Sequence, residues 1–134
     1  MPTAFEYRAA ARRMRDAADE AGDVSRALWR TGDEHGVRGG RLETVVDNAF
    51  VAGALNAESL RGECEALAEE CERRAQVCEQ FADDLAAWRI AHSSWANRHR
   101  AWLLSRIDDP DAPLPWPGRE PREPSKPYDW VDIG

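Results

Sequence analysis

The sequence predicts an all-α fold, either a helical hairpin or a small bundle, with one long second helix followed by an extended proline-rich tail. The first observation is a 4-3 repeat of apolar and soft side chains that holds from Leu60 to Trp102 over six heptads. A shorter repeat of the same kind runs from Tyr7 to Leu28, and a glycine-rich stretch separates the two. A 4-3 repeat places its members on one face of a helix, which is the face along which helices pair.

The first helix is predicted over residues 4–30. Thr3 followed by Glu6 fits a capping box at its start. Its apolar stripe consists of Tyr7, Ala10, Met14, Ala17, Ala21, Val24 and Leu28. The three alanines are small and would let a second helix approach closely. The four glycines between Thr31 and Gly40 predict a turn, and their spacing matches neither a dinucleotide-binding loop nor a P-loop.

The second helix is predicted over residues 41–106, either continuous or bent near Gly53 to Asn56. In the heptad notation abcdefg, its cysteines fall at a, its tryptophans at d and a line of alanines at e. Residues 56–84 carry nine acids and three arginines, whereas residues 85–106 carry four arginines and no acid. This segregation of charge favours an antiparallel or staggered neighbour. We expect the large seam residues to form the interface with another helix: Leu60, Leu67, Phe81, Leu85, Trp88, Trp95 and Trp102.

Helix length leaves the last three seam tryptophans without a predicted neighbour. At about 1.5 Å per residue the first helix spans roughly 40 Å, whereas the long part of the second spans roughly 75 Å. The three tryptophans would form a larger apolar patch than soluble monomers usually expose. The element that covers them is residues 41–55, the tail around Trp116 or a second chain. We favour a second chain, because its acidic half would complement the basic flank of the patch.

Residues 108–134 are predicted to form a tail after a helical domain of residues 1–107. Seven prolines exclude a helix or a central strand, and Trp116, Tyr128 and Trp130 are spaced along the tail as apolar anchors. Three interpretations remain open: a disordered tail, a short recognition peptide, and a strap that lies back on the helices.

Composition narrows the range of partners. The 134 residues have a formal net charge of −7, which argues against a nucleic-acid partner because phosphate binding needs a concentrated basic surface. No run of eighteen apolar residues is present, so we expect no membrane span. The polar N-terminus lacks the apolar core of a secretory signal peptide, so we expect a cytoplasmic protein or export by another route.

The cysteines and histidines form no catalytic or metal-binding pattern. Cys64, Cys71 and Cys78 lie seven residues apart, about 10 Å along a helix, which is too far for a disulfide between neighbours. Metal ligands on one helix usually lie three or four residues apart, so zinc would require a second chain. His92 and His99 have the same seven-residue spacing. No nucleophile motif such as G-x-S-x-G occurs, and we expect a protein without enzymatic activity or cofactor.

Two short motifs complete a resemblance to a known family. Trp29-Arg-Thr-Gly32 stands at the predicted end of the first helix, and Tyr128 is followed four residues later by Asp132. With the two alanine-rich helices, these motifs resemble the WXG100, or ESX, helical-hairpin superfamily of actinobacterial type VII secretion. The resemblance extends over residues 4–92 by pattern. The tryptophan turn has one residue more than the family pattern, the second helix is longer, and the tyrosine motif follows a proline-rich stretch.

The resemblance implies an antiparallel hairpin that pairs as a homodimer or with a related helical-hairpin protein. It also implies a Tyr-x-x-x-Asp export signal that the secretion machinery reads. We therefore expect a non-enzymatic interaction protein associated with type VII secretion. Two alternatives remain: a cytosolic adaptor or chaperone-like partner that uses the same seam, and a metal- or redox-responsive coiled coil that uses the three cysteines.

Overall fold

The computed structural model describes residues 2–134, in which two α-helices are joined by a short turn. Helix α1 comprises Ala4–Glu34 and helix α2 comprises Gly40–Asp108, and they are 31 and 69 residues long. No strand occurs among the described residues. The predicted all-α fold, with two helices that pack against each other as a hairpin, is confirmed.

Helix α1 continues to Glu34, four residues past its predicted end, so the turn is shorter than predicted. The turn comprises residues 35–39, and within it Gly36 and Gly39 have φ angles of 77° and 101°. These left-handed conformations favour glycine, which explains why the glycine pattern predicts a turn here. The pattern does not show where α1 ends, because Gly32 lies inside the helix.

Helix α2 is continuous through Gly53 to Asn56, where the sequence left a bend open. A Cβ atom added to Gly53 would lie 3.2 Å from Leu28 Cδ1, so this glycine lets the two helices approach rather than marking a bend. At the start of α2, the Gly39 N–H group donates to Glu43 Oε2 at 2.9 Å. This bond satisfies one of the donors that a helix start leaves unpaired.

The chain divides into two compact units, and α2 runs through both. The hairpin unit comprises residues 4–75, which include all of α1 and the first half of α2. The C-terminal unit comprises residues 76–134 together with the described residues 2–3. We call residues 109–134, which follow α2 and contain neither helix nor strand, the return segment.

In the hairpin unit, α1 packs antiparallel against α2. Contacts join the helices in opposite chain order, since Arg15 binds Glu72 whereas Ser25 binds Glu58, fourteen residues earlier.

The core between the helices consists mostly of small side chains. Its small apolar members are Ala11, Ala18, Ala21, Ala54, Cys64, Ala68 and Ala75, and Tyr7 and Ser25 are buried beside them. On α1 the core follows Ala11, Ala18 and Ala21 rather than the predicted stripe, whose Ala10 and Ala17 are only half-buried and whose Val24 is 51% exposed.

The buried line on α2 in this unit runs over the a and e positions instead of a and d. Cys64 occupies a, Ala68 and Ala75 occupy e, and all three are buried. Leu60 and Leu67 occupy d and are 53% and 54% exposed. The face of α2 that contacts α1 is therefore rotated around the helix axis, away from the predicted a/d seam and toward the alanines at e. Small e residues let α1 approach, and the larger d residues lie beside it.

In the C-terminal unit, the return segment lies back along the second half of α2. It receives hydrogen bonds from two tryptophans of the helix. Val131, near the end of the segment, is fully buried, and on α2 Phe81 and Leu85 are buried. These contacts are the ones expected of a strap, and the interpretation of the tail as a recognition peptide stays a prediction.

Candidate interaction surfaces

Five aromatic side chains form a continuous row along α2, which we call the aromatic ladder: Trp88, His92, Trp95, His99 and Trp102. The centroids of neighbouring rings are 5.1, 6.0, 4.8 and 5.9 Å apart. The row follows from the sequence, because residues three and four apart are neighbours on a helix surface. Rings at these distances attract one another in offset or tilted arrangements.

Two indole N–H groups of the ladder bind main-chain carbonyls of the return segment. Trp95 Nε1 donates to Gly118 O at 3.0 Å, and Trp88 Nε1 donates to Pro121 O at 3.1 Å. Half-buried indole N–H groups need such acceptors, and α2 offers none because its carbonyls are already paired. The later ladder residue binds the earlier segment residue, so the segment runs antiparallel to α2.

Trp116 of the return segment packs edge-on against the end of the ladder. Its ring centroid lies 5.7 Å from that of His99 and 4.7 Å from that of Trp102, with interplanar angles of 78° and 75°. Edge-to-face pairs of this kind contribute about 0.5–1.5 kcal/mol beyond the area that they bury. Trp116 nevertheless remains 56% exposed.

His92 and Glu120 make a polar contact between the ladder and the segment. His92 Nε2 lies 2.8 Å from Glu120 Oε1, and the two side chains are 35% and 59% exposed. The contact is an ion pair when the imidazole is protonated and a hydrogen bond when the neutral ring carries its proton on Nε2. Exposed ion pairs contribute little to the free energy of folding. This contact therefore helps to fix the direction of the return segment but adds little to the strength of its binding.

The return segment lies where we expected a second chain to cover the tryptophans. Trp88 and Trp95 bind its carbonyls, and Trp102 packs against Trp116. In the single chain the tail around Trp116, one of the three candidate elements, covers these residues, and pairing with a second chain stays a prediction. Charge did not discriminate between the candidates, because residues 109–134 carry six acids and three basic residues and also complement the basic end of α2.

The seven residues expected at an interface fall into three groups. The three tryptophans contact the return segment, as described above. Phe81 and Leu85 are only 7% and 8% exposed. Leu60 and Leu67 are more than half exposed in the hairpin unit. Of the seven, these two leucines offer a partner the most apolar surface without any rearrangement of the chain.

Leu60 and Leu67 share one side of α2 with Leu42, and we call these three residues the leucine face. The separations of eighteen and seven residues are close to five and two full turns of about 3.6 residues. Leu42 is 64% exposed. Leu55 is 53% exposed but lies about 140° around the helix from Leu60, so it belongs to another side.

Charged side chains tie the start of α1 to α2. Glu70 Oε1 accepts hydrogen bonds from Arg73 Nη2 at 2.7 Å and from Arg74 Nε at 3.0 Å. The bonds from Arg73 and Arg74 lower the pKa of Glu70 to about 2. Arg74 Nη1 also donates to Tyr7 Oη at 3.3 Å, and hydrogen bonding to Tyr7 and Glu70 raises the pKa of Arg74.

A second set of polar contacts joins the middle and the end of α1 to α2. Arg15 Nη1 lies 2.5 Å from Glu72 Oε1, and this bond lowers the pKa of Glu72. Glu58 Oε1 accepts from Ser25 Oγ at 3.1 Å and from Trp29 Nε1 at 3.3 Å. The carboxylate of Glu58 therefore holds two residues of α1 that lie four apart on one face.

Trp29 and Gly32, the residues of the WXG-like motif, lie in the last turns of α1 rather than in the turn. The Trp29 side chain is 38% exposed. A Cβ atom added to Gly32 would lie 2.9 Å from Phe50 Cβ, which is closer than real Cβ contacts allow. Gly32 is therefore required by the close approach of the two helices. The structure gives this half of the motif a packing role.

The sequence analysis did not single out His35, whose side chain is only 6% exposed. The Val37 N–H group donates to His35 Nδ1 at 2.9 Å, so Nε2 carries the ring proton and donates to Asp47 Oδ1 at 2.6 Å. The ring also stacks on Phe50, with centroids 6.0 Å apart. His35 thus fixes the turn to α2. A histidine in a glycine-rich turn was the visible signal, but its partner lies twelve residues away.

Of the candidate export motif, Tyr128 lies in a turn near the end of the return segment and Asp132 follows that turn. Tyr128 is 49% exposed and stacks on Trp130 with centroids 5.0 Å apart. The Val131 N–H group donates to Tyr128 O at 3.2 Å and closes the turn. Asp132 Oδ1 accepts from the Gly134 N–H group at 3.0 Å, and this bond lowers the pKa of Asp132.

The described residues contain no assembled metal site. Cys64 and Cys78 are buried, Cys71 is half-buried, and all three are free thiols. Within residues 2–134 no group of three or more His, Cys, Asp and Glu side chains is placed to hold a metal ion. The two buried thiols take up the space of small apolar residues in their units.

Comparison with known proteins finds no relative: no family model, no curated protein and no solved structure matches the chain. Along residues 2–134, neither helix contains a stretch that is apolar over enough length to cross a membrane.

Proposed function

We propose that this chain is a non-enzymatic interaction protein associated with type VII secretion, and that it pairs with a second helical hairpin through its leucine face. The observation that carries the proposal is the exposure of Leu60 and Leu67. Both residues occupy heptad d positions in a hairpin whose two helices already pack against each other, yet they are 53% and 54% exposed. An apolar strip along one side of two antiparallel helices is the surface on which bundles of four helices form.

Hydrophobic burial alone is too weak to set the affinity of this pairing. Burying the remaining halves of three leucines contributes roughly 2–5 kcal/mol. Association costs about 4–15 kcal/mol in lost translational and rotational freedom. The partner must therefore supply further apolar contacts and charge complementarity. Residues 56–84 carry nine acids and three arginines, so a related hairpin with basic residues beside its apolar strip fits better than an identical surface.

The position of Tyr128 supports the link to secretion. Trp29 and Gly32 lie in the last turns of α1, not in the turn where the resemblance to the WXG100 superfamily expects them. Tyr128 is half exposed in the return segment, where a receptor of the secretion machinery could contact it. A cytosolic adaptor would use the same leucine face but would have no use for Tyr128.

An export assay distinguishes a protein associated with type VII secretion from a cytosolic adaptor. In a host that has the secretion system, we expect Tyr128→Ala and Asp132→Ala each to abolish export. Helicity should be unchanged, because neither side chain is buried. Asp129→Ala is the matched control, since it removes an acid from the same turn outside the motif, and it should be exported. Export of both motif variants at the wild-type level would exclude the secretion signal and favour the adaptor.

A further inference from the structure

A cavity of about 380 Å³ lies beside the turn of the hairpin unit, and we call it the turn cavity. Its lining comes from the end of α1, from the turn and from the start of α2. Ligand pockets in proteins enclose about 300–1,000 Å³. The turn cavity is at the lower end of this range, so its size suits a group no larger than a side chain.

Aromatic side chains form part of the wall of the turn cavity. Trp29 lines it from α1 and Phe50 lines it from α2. Contacts elsewhere in the hairpin hold both rings, since Trp29 Nε1 donates to Glu58 Oε1 at 3.3 Å and Phe50 stacks on His35 with an interplanar angle of 4°. The aromatic wall is therefore preorganised, which lowers the entropic cost of binding a flat group.

Carboxylates dominate the charged part of the lining. Asp33, Glu43 and Asp47 line the cavity, and Arg38 is the one basic residue among the lining residues. Three acids and one arginine leave an excess of negative charge in a concave site. Such a site attracts cations, and aromatic walls add to that attraction through the negative faces of their rings.

The carboxylates keep acceptor atoms for an incoming donor. One oxygen each of Glu43 and Asp47 accepts a hydrogen bond within the hairpin, which leaves the second oxygen of each. Arg38 Nη1 lies 3.9 Å from Glu43 Oε1, beyond the distance of a hydrogen bond. Asp33 is exposed, and its side chain makes no hydrogen bond or ion pair with another residue of the range 2–134.

A guanidinium group fits this combination better than the other common cations. Its planar face stacks on aromatic rings while its N–H groups donate to carboxylates. An ammonium group is more strongly hydrated and has no flat face to stack. A metal ion needs several ligands at once, and within residues 2–134 no three acidic, histidine or cysteine side chains are placed to hold one.

We propose that the turn cavity binds a guanidinium group carried on an alkyl chain, which stacks on the aromatic wall and donates to Asp33. An arginine side chain of a protein and a free alkylguanidine both carry this group. Arg38, whose side chain is 62% exposed, competes with the ligand as the chain's own guanidinium. The cavity shares no residue with the leucine face, so the inference does not depend on the function proposed for that face.

Titration of the isotope-labelled full chain, followed by nuclear magnetic resonance, tests the site. The indole N–H signal of Trp29, assigned by its loss in Trp29→Phe, reports on the cavity, and the other five of the six tryptophans are internal controls. Butylguanidine should shift the Trp29 signal to saturation with a Kd on the order of millimolar, as expected for a ligand of about eight non-hydrogen atoms. Butylurea has the same shape without the charge and should bind at least tenfold more weakly. Equal binding of the two, or no saturable shift at Trp29, would overturn the proposal.

Two substitutions at exposed lining residues should change the affinity in opposite directions. Asp33→Asn should weaken binding of butylguanidine about threefold, as for the loss of an exposed ion pair. Arg38→Gln should strengthen it, because the competing guanidinium is removed. Glu63→Gln, at an exposed acid outside the cavity, should bind as the wild type does. If Asp33→Asn and Arg38→Gln both bind with the wild-type Kd, the turn cavity is not the site and the proposal fails.

A blocked Gly-Gly-Arg-Gly-Gly peptide distinguishes the two sources of the group. It carries the same charge as butylguanidine and adds a protein backbone. Tighter binding of the peptide than of butylguanidine would assign the cavity to an arginine of a partner protein. Weaker binding of the peptide would assign it to a free alkylguanidine. A Trp29 signal that neither ligand shifts would overturn the proposal for both sources.

Discussion

Gly32 and Gly62 are both helical glycines, but only Gly32 faces another helix. A Cβ atom on Gly32 would meet Phe50 Cβ at 2.9 Å, whereas a Cβ atom on Gly62 would meet nothing within 4 Å. The same substitution should therefore have opposite effects at the two positions.

Replacement of each glycine by alanine tests this difference. Gly62→Ala should raise the free energy of unfolding by roughly 0.5–1 kcal/mol, because alanine loses less conformational entropy in a helix. Gly32→Ala should lower it by about 1–3 kcal/mol, because the overpacked helices must shift apart. Urea unfolding followed by circular dichroism measures both values. A gain in stability for Gly32→Ala equal to that of Gly62→Ala would contradict the close approach at Phe50.

Glu70 should make the stability of the hairpin unit depend on pH. Hydrogen bonds from Arg73 and Arg74 lower its pKa from 4.5 to about 2 in the folded chain. Above pH 4.5 the carboxylate is charged in the folded and the unfolded chain, and its stabilising effect is complete. As the pH falls from 4.5 to 2, the unfolded chain binds the proton first and the effect is lost.

The measurement is the free energy of unfolding of wild type and Glu70→Gln between pH 7 and pH 2. We expect the wild type to be the more stable at pH 7 and the two proteins to converge below about pH 2.5. The effect should be small, since the side chain is 42% exposed. Glu63→Gln, at an exposed acid of the same helix, is the control. A difference between wild type and Glu70→Gln that persists unchanged to pH 2 would contradict the assignment.

At the scale of elements, the return segment is anchored at its far end by Val131, which is 0% exposed. Val45, on α2, is 54% exposed and provides a matched control for the same substitution. Val131→Ala should destabilise docking of the segment by about 1–3 kcal/mol, because it removes buried methyl groups and leaves a cavity. Val45→Ala should change little.

Tryptic cleavage after Arg119 and Arg122 reports the docking of the segment directly. Cleavage of a docked segment requires local opening, so its rate rises with the population of the open form. We expect cleavage of Val131→Ala to be at least tenfold faster than that of the wild type, and Val45→Ala to match the wild type. Equal rates for all three proteins would mean that Val131 does not anchor the segment.

The helices could be predicted from the sequence, but the register of their contact could not. Periodicity predicted a seam on α2 and a stripe on α1, but of the buried alanines Ala11, Ala18 and Ala21 only Ala21 belongs to that stripe. The 4-3 repeat does not indicate whether α1 packs over the d or the e positions of α2. Ala68 and Ala75 at e decide it, because α1 approaches most closely over small residues, and Leu60 and Leu67 are left beside the contact.

The return segment could be predicted only as one of several outcomes. Its prolines excluded a helix, and Trp116 was recognised as an anchor. Trp88 and Trp95 of α2 donate to the main-chain carbonyls of Pro121 and Gly118. Contacts with main-chain carbonyls leave no signature in side-chain composition. His35 was missed for a related reason, since its partner Asp47 is close only once the turn has formed.

At the scale of the whole molecule, two apolar surfaces of different kinds lie on one long helix. The aromatic ladder is occupied by the chain's own return segment, whereas the leucine face is open. Two copies that each carry a net charge of −7 repel each other, so the partner proposed for the open face is a protein of opposite charge. The proposed interaction function therefore depends on the leucine face.

Site-specific photo-crosslinking in the host tests the leucine face most directly. A photoreactive amino acid is placed at Leu60 or Leu67, and at Leu55 as the equally exposed control on another side of α2. Positions 60 and 67 should each give one discrete product, and mass spectrometry should identify its second component as a helical hairpin. Position 55 should give no such product. Equal labelling from position 55, or no discrete product from positions 60 and 67, would contradict pairing through this face.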